Sequence, residues 1–202
     1  MTGSRKFGTP GVVIEPGQHI CAMYVGEEDR DRILLPFLSE GLLAGEKCLF
    51  GVHEDEVAGF VDRIGEGVDD VEARVDSAQL DIRAAGDTLL SPDDFTVDRI
   101  IAFWDEAVSA AMAAGYPFVR LGAEARWWHP QLPGLTELTE LFRYEAALND
   151  FTSRYPQAIL CMYDISRYRE NIVLDLLKTH PQVLMCGVLL ENPYYSPPAT
   201  LV

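Results

Sequence analysis

Short, wholly apolar segments alternate along the chain with longer segments of helical periodicity, and this alternation restricts the fold more than any other feature. The predicted strands are His19–Tyr24, Lys47–Val52, Leu80–Ala84, Pro117–Gly122, Ala158–Tyr163 and Val183–Leu190. Several are apolar throughout, which is typical of strands covered on both faces of a parallel sheet. The sequence therefore predicts an α/β fold: a three-layer α/β/α sandwich with a mostly parallel central sheet.

The segments between the strands have the end signals of helices. An apolar stripe that starts at Ile33 is followed by Gly45, which predicts a helix stop, and Pro36 is expected in the first turn of that helix or at a kink. Thr96, preceded by an aromatic residue, predicts the start of a second helix. We expect a flexible tail over 1–13, one domain over 14–198 and a short C-terminal tail over 199–202.

Charge and hydropathy exclude several classes of partner. The 202 residues carry a formal net charge of −16, and an acidic surface repels both nucleic-acid backbones and anionic lipids. There is no apolar run of about 18 residues that could span a membrane, and the first ten residues lack the apolar core of a signal peptide. A cytoplasmic protein that binds neither nucleic acid nor membrane is predicted.

The four cysteines lie in apolar segments and form no Cys-x-x-Cys pair, so neither a disulfide framework nor a zinc motif is indicated. Cys48 and Cys186 are predicted to be buried core residues. His19 and Cys21 lie two apart on a strand, project to one face and could bind a soft metal ion. A hydrogen-bonded core histidine is the favoured interpretation, and no cofactor is predicted.

The segment after the first strand stands where a nucleotide-binding α/β protein carries its phosphate loop. The stretch from Phe37 to Phe50 resembles the same region of RecA/KaiC-type ATPases. Gly26 matches the loop, but Asp31 replaces its second glycine, Arg32 its lysine and Ile33 its Mg²⁺-binding hydroxyl. Phosphate needs free N–H groups and positive charge, so we expect no standard triphosphate binding on this scaffold.

Other candidate ligand-binding residues follow or end the predicted strands, where ligands of open α/β sheets bind. Glu124 and Trp128 follow the fourth strand, and Glu145 and Asn149 share one helical face at i, i+4. The remaining candidates are Tyr24, Cys161, Tyr163 and Asp164. Together with His19 and Cys21, these residues are expected to line one pocket with a tryptophan wall.

An ordered series of segments resembles the MEDS family, a sensory domain named for methanogens, methylotrophs and a dichloromethane-responsive regulator. The segments are Gly17–Tyr24, Pro36–Cys48, Leu121–Trp128, Tyr144–Asn149, Leu160–Asp164, His180-Pro181 and Asn192–Tyr195. This resemblance implies a prokaryotic signalling module that senses a small, hydrocarbon-derived ligand, with His19 and Cys21 among the ligand residues. It also implies a regulatory partner of the kinase, anti-sigma or transcription-factor type.

Because no output domain follows the series, we expect a stand-alone sensor that relays ligand occupancy to a separate regulator by protein contact, without enzymatic activity. One alternative is a degenerate RecA-like nucleotide-binding protein that does not hydrolyse its ligand. A second is a metal or haem protein, or an enzyme, that uses His19 and Cys21, and a third is a scaffold without a small ligand. The sequence leaves formation of a homo-oligomer open.

Overall fold

The protein is built around a seven-stranded sheet with helices on both faces. The computed structural model describes residues 3–84, 96–125, 135–168 and 170–197. The strands are β1 (Arg5–Lys6), β2 (Val13–Ile14), β3 (Gln18–Tyr24), β4 (Lys47–Val52), β5 (Leu80–Ala84), β6 (Val119–Glu124), β7 (Gln157–Asp164), β8 (Gln182–Met185) and β9 (Val188–Glu191). The helices are α1 (Gly26–Leu43), α2 (Val57–Gly65), α3 (Val71–Asp76), α4 (Val97–Ala113), α5 (Leu135–Thr152) and α6 (Glu170–Thr179).

The sheet has the order β5-β4-β6-β7-β3-β8-β9, and every neighbouring pair is parallel except β8 and β9. One core packs α1 and α2 against one face, around Phe37, Phe50 and Phe60. The other packs α4, α5 and α6 against the opposite face, around Trp104 and Leu148. The predicted three-layer sandwich with a mostly parallel sheet is confirmed, and two strands, 47–52 and 80–84, have the predicted bounds.

The predicted strand Val183–Leu190 is wrong, because it is two antiparallel strands joined by a tight turn. Cys186 and Gly187 form that turn with φ angles of 52° and 75°, the pair of positive values that a two-residue hairpin requires. Cys186 is consequently exposed, whereas the prediction placed it in the core. Cys48 is buried, as predicted.

Two smaller expectations for the helices have different outcomes. Gly45 follows the end of α1 with a φ of +73°, so the predicted glycine stop is confirmed. Pro36 lies in the interior of α1 rather than in its first turn. No helix within the described ranges is long and apolar enough to cross a membrane.

The N-terminal segment is packed against the domain and is not the flexible tail predicted over 1–13. Strands β1 and β2 pair as an antiparallel ribbon, and Phe7 between them is fully buried, with its ring centroid 5.0 Å from that of Phe37. Gly8 lies so close to α1 that an added Cβ would be 2.1 Å from the carbonyl oxygen of Pro36. Residues 1 and 2 and the predicted tail 199–202 lie outside the described residues.

A buried arginine explains why the ribbon is held in place. Arg120 on β6 is fully buried and pairs with Glu46 at 2.6 Å. Its guanidinium also donates to the carbonyl oxygens of Lys6 (2.7 Å), Phe7 (3.1 Å) and Phe37 (2.8 Å). A buried guanidinium needs such acceptors, and the N-terminal segment supplies two of them.

Candidate functional site

The predicted site residues do not line one pocket; the structure separates them into two groups. Tyr24, Glu124 and Asp164 end neighbouring or nearby parallel strands at the carboxyl edge of the sheet. His19, Glu145, Asn149, Cys161 and Tyr163 meet between the sheet and α5. Trp128 lies outside the described residues.

The edge group is organised by an arginine that the sequence analysis did not single out. Arg30 on α1 is 1% exposed and is 3.5 Å from Glu124, and it also pairs with Asp31 (2.9 Å) and with Glu56. Tyr24 donates its hydroxyl to the other oxygen of Glu124 at 2.6 Å. We call Tyr24, Arg30, Glu56 and Glu124 the edge network.

Burial and charge act in opposite directions in this network. Burial alone would lower the pKa of Arg30, but the neighbouring carboxylates, Glu124 first among them, raise it. Burial together with the Glu124 carboxylate raises the pKa of Tyr24. The guanidinium therefore stays charged and the phenol stays protonated, so the Arg30 cation is paired with the Glu56 and Glu124 carboxylates.

Asp164 forms hydrogen bonds within the turn that follows β7. Its carboxylate accepts hydrogen bonds from the Ser166 N–H at 3.1 Å and from Arg167 Nε at 3.0 Å. Burial would raise its pKa, but these bonds lower it. The described contacts of Asp164 are those of a strand-end cap.

The described segment that joins β3 to α1 is not a phosphate-binding loop, in agreement with the altered motif. A single residue, Val25, separates β3 from α1, and its N–H donates to Asp29 at 3.0 Å. Arg32, which replaces the lysine of the motif, has a largely exposed side chain that pairs with Glu28 at 2.5 Å. The acidic first turn of α1 occupies the position where a loop would have to present free N–H groups.

The second group contains four side chains whose donor atoms all lie within 4.8 Å of one another. They are His19 on β3, Glu145 on α5, Cys161 on β7 and His180 just after α6, and all four are buried. His19 Nε2 is 3.3 Å from Cys161 Sγ and 3.3 Å from Glu145 Oε2, and His180 Nε2 is 3.1 Å from the same oxygen. We call these four residues the buried cluster.

Two further predicted residues support the buried cluster. Tyr163 donates its hydroxyl to Glu145 Oε1 at 2.5 Å. Asn149 places Oδ1 at 3.0 Å from His19 Nδ1 and donates its amide to the Thr179 carbonyl at 2.8 Å. Glu145 and Asn149 therefore face inward on α5, where their i, i+4 spacing brings both to His19.

Burial and neighbouring charges determine the protonation states of most groups in the buried cluster. Burial would raise the pKa of Glu145, but the two neighbouring histidines, His180 first, lower it. Burial, and then the charge of His180, lower the pKa of His19, and burial raises the pKa of Cys161 well above its usual value. The carboxylate is thus ionised, while His19 and the thiol are neutral near pH 7.

Two atoms of the buried cluster have no hydrogen bond among the described residues. They are Glu145 Oε2 and His180 Nε2, although they lie 3.1 Å apart. His180 Nδ1 lies 2.7 Å from the Leu176 carbonyl, which can only accept, so Nδ1 carries the proton. In the neutral ring, Nε2 therefore presents a lone pair to the carboxylate oxygen.

Sequence analysis missed His180 as a candidate because it lies 161 positions after His19 and shares no motif spacing with it. Parallel pairing of β8 with β3 brings the two rings to a centroid distance of 4.3 Å. The only available signal was the His180-Pro181 segment of the family series. Cys21 is buried on the same strand face as His19 but is not one of the four clustered donors.

A small cavity adjoins the buried cluster. Glu145, Cys161 and Tyr163 form its polar corner, and its apolar walls include Trp104 from α4 and Leu121 from β6. The indole of Trp104 donates to the Tyr144 hydroxyl at 2.9 Å, which fixes that wall. The cavity volume of about 20 Å³ accommodates roughly one water molecule.

Solved structures define the class of fold. A KaiC-like protein from Pyrococcus horikoshii OT3 superposes with a TM-score of 0.64 at 14% identity, covering 91% of this chain and 80% of its own. The flagellar accessory protein FlaH from Methanocaldococcus jannaschii gives a TM-score of 0.60 at 8% identity, covering 94% and 84%. The fold is therefore RecA/KaiC-like, as the sequence resemblance predicted.

The family is more specific than the fold. Residues 18–181 match the family described as MEDS, the methanogen/methylotroph, DcmR sensory domain, and this chain belongs to that family. The transcriptional repressor DcmR from Methylorubrum extorquens is 27% identical over 183 residues, which cover 88% of this chain and 63% of the repressor. The chain thus matches somewhat under two thirds of that relative, and its role as a signal-sensing regulatory domain follows from the family.

Proposed function

We propose that this protein senses a small, largely apolar molecule in the cavity beside the buried cluster and relays its occupancy to a regulator of transcription by protein contact. The observation that carries the proposal is the cavity itself, which combines apolar walls with a corner of carboxylate, thiol and phenol. Burial of apolar ligand surface contributes about 25 cal/mol per Å². The polar corner would orient a single polar or halogen substituent.

The size of the cavity favours a ligand with about one carbon atom and links binding to a structural response. With room for about one water molecule, the cavity must widen for anything larger. Its walls come from the sheet and from α4 and α5, so widening changes how these helices pack. Because packed cores have few intermediate arrangements, a ligand that favours the widened form shifts the population toward it.

Relay to transcription is supported by the family and by its relative. The MEDS family is described as a sensory domain, and the relative DcmR is a transcriptional repressor. Ligand-dependent changes in hydrogen exchange on α4 and α5 would locate the surface that contacts the regulator. Changes elsewhere, with α4 and α5 unaltered, would contradict this route.

The proposal is tested by thermal unfolding of the full chain with methanol, methylamine and dichloromethane as probes. A compound at one hundred times its Kd stabilises the folded state by about 2.7 kcal/mol, which raises Tm by roughly 5–11 °C for a chain of this size. Leu121→Phe should abolish the shift, because the larger ring fills the cavity.

Leu49→Phe is the matched control. Leu49 is the β4 neighbour of Leu121 in the sheet and is buried in the same core, but it does not line the cavity. Both substitutions add the same volume to the same core, which should lower the free energy of unfolding by about 1–3 kcal/mol. They differ in that Leu121 lines the cavity and Leu49 does not. No shift with any probe in the unmodified protein, or an equal shift in Leu121→Phe, would refute the site.

A further inference from the structure

We propose that the buried cluster of His19, Glu145, Cys161 and His180 is a binding site for one divalent transition-metal ion, with Zn²⁺ as the best match. The proposal does not rest on the sensory function. It rests on the convergence of four metal-ligating atoms from four separate segments of the chain, all buried and within 4.8 Å of one another.

The distances between the donor atoms suit a tetrahedral ion. Zinc bonds of 2.0–2.3 Å imply donor-to-donor distances of roughly 3.3–3.7 Å in a tetrahedron. Three of the contacts in the buried cluster are 3.1, 3.3 and 3.3 Å, and all donor atoms lie within 4.8 Å of one another. Small side-chain adjustments would therefore complete the coordination without moving the backbone.

The surroundings of both imidazoles direct their Nε2 atoms toward the centre of the cluster. His180 Nδ1 is held by the Leu176 carbonyl, as described above. Asn149 donates its amide to Thr179, so its Oδ1 faces His19 and accepts from Nδ1. A partner that holds the proton on the outer nitrogen, so that the inner nitrogen keeps a lone pair, is the usual arrangement around metal-bound histidine.

The unpartnered atoms of the buried cluster would be stabilised by a positive charge. Glu145 Oε2 and His180 Nε2 have no hydrogen bond within the described chain, and His19 Nε2, 3.3 Å from that oxygen, has a hydrogen-bond partner only in Cys161 Sγ. Opposed lone pairs in a buried site are unfavourable. A cation between them would satisfy the carboxylate and both imidazoles together.

The net charge of the filled site distinguishes a divalent metal ion from a proton. When the ion binds, the Cys161 thiol forms a metal–sulfur bond and releases one proton, as thiol ligation requires. The charges of the ion, the thiolate and the Glu145 carboxylate then sum to zero. A proton on His180 would also pair with Glu145, but it would leave Cys161 and His19 without a role in the site.

The donor set selects among metals. Two imidazoles and a thiolate are soft or borderline ligands, which exclude Mg²⁺ and Ca²⁺ and favour Zn²⁺ and its neighbours. Co²⁺ adopts the same geometry at such sites and reports a bound thiolate through a sulfur-to-metal charge-transfer absorption.

The full chain is therefore produced in minimal medium supplemented with Zn²⁺ or with Co²⁺, and bound metal is measured by mass spectrometry after exhaustive dialysis. We expect about one equivalent per chain and a thiolate band in the Co²⁺ form. Cys161→Ser should abolish the band and weaken retention of metal at least about ten-fold, with the far-ultraviolet circular dichroism unchanged.

Cys21→Ser is the matched control, because Cys21 is equally buried and lies beside Cys161 in the sheet register without belonging to the cluster. It should keep both the metal and the band. Less than a tenth of an equivalent of bound metal per chain in the unmodified protein would overturn the proposal. It would indicate that a proton, rather than a metal ion, occupies the site. A band lost in Cys21→Ser but kept in Cys161→Ser would overturn this choice of ligands.

Discussion

The edge network and the buried cluster are both made of buried charged groups, yet they are completed to different degrees. In the edge network, the Arg30 guanidinium meets carboxylates on Asp31, Glu56 and Glu124, and Tyr24 binds the last of these. In the buried cluster, one carboxylate faces two imidazole nitrogens, and two of these atoms lack a hydrogen bond. The first group thus pairs its buried arginine with several carboxylates, whereas the second leaves a carboxylate oxygen and an imidazole nitrogen without a hydrogen bond.

The two groups lie at different places on the sheet, and only the edge network lies where a RecA/KaiC-like fold would be expected to bind a ligand. At the described part of the carboxyl edge, where ligands of open α/β folds bind, Arg30 pairs with the protein's own carboxylates. Glu145 and His180, by contrast, have atoms without a hydrogen bond under the sheet, against α5 and α6. The binding sites proposed here therefore lie on a face of the sheet rather than at its edge.

The largest predicted effect is on stability and comes from the edge network. Arg30→Ala should lower the free energy of unfolding by about 3–5 kcal/mol, because it removes the guanidinium that faces the buried Glu124 carboxylate. Arg32→Ala, which removes an exposed pair with Glu28, should cost less than about 0.5 kcal/mol. Urea unfolding measures both, and equal effects would show that the edge network is not a buried ion-pair system.

An intermediate effect is expected on the pH dependence of stability, and it comes from the buried cluster without metal. Because the pKa of His19 is lowered in the folded state, the unfolded chain binds more protons below its ordinary pKa of about 6.5. Stability should be complete above that pH and fall as the pH decreases through it. The lowered pKa of Glu145 adds a further loss below about pH 4.3.

Urea unfolding in the presence of a chelator, from pH 7.5 to pH 5, measures the first of these losses. His19→Gln should flatten the slope in that range. Cys21→Ser, two residues away on the same strand face, should retain it, since that thiol stays neutral in this range. A slope that is equal in the unmodified protein and in His19→Gln would assign the titration to another group.

The smallest predicted effect concerns the cysteines. In the native protein only Cys186 of the four is exposed, and burial raises the pKa of Cys48 to about 12. Iodoacetamide should therefore modify about one cysteine in native protein and four after denaturation. Cys186→Ser should prevent native modification and change stability by less than about 0.5 kcal/mol, whereas modification of Cys161 at a similar rate would show that the buried cluster opens.

The sequence predicted the layers of the fold well because strand and helix periodicity are local properties. The prediction failed where the local signal for an element was weak or was hidden by neighbouring apolar residues. The run around Cys186 and Gly187 is apolar on both sides, so a hairpin looks like one buried strand, and only the glycine marks the turn. The N-terminal ribbon was missed because its anchor, Arg120, is more than 110 residues away.

The candidate residues were largely identified, but their grouping was not. Nine of the ten lie on described strands or on α5, yet which side of the sheet each contacts depends on register and on the packing of α5. Glu145 and Asn149 were recognised as a pair and reach the interior together. Arg30 was not singled out, although it lies in the segment interpreted as an altered phosphate loop, and its role depends on Glu124, which is 94 residues away.

The attachment of the N-terminal ribbon has a consequence for synthesis of the chain. Lys6 and Phe7 leave the ribosome before any other described partner of Arg120, but their hydrogen-bond donor follows 114 and 113 residues later. At translation rates of about 5–20 residues per second, that interval is roughly 6–23 s. During this time Phe7 has neither its donor nor the finished sheet to pack against, so the beginning of the chain is available to chaperones and proteases until β6 has emerged.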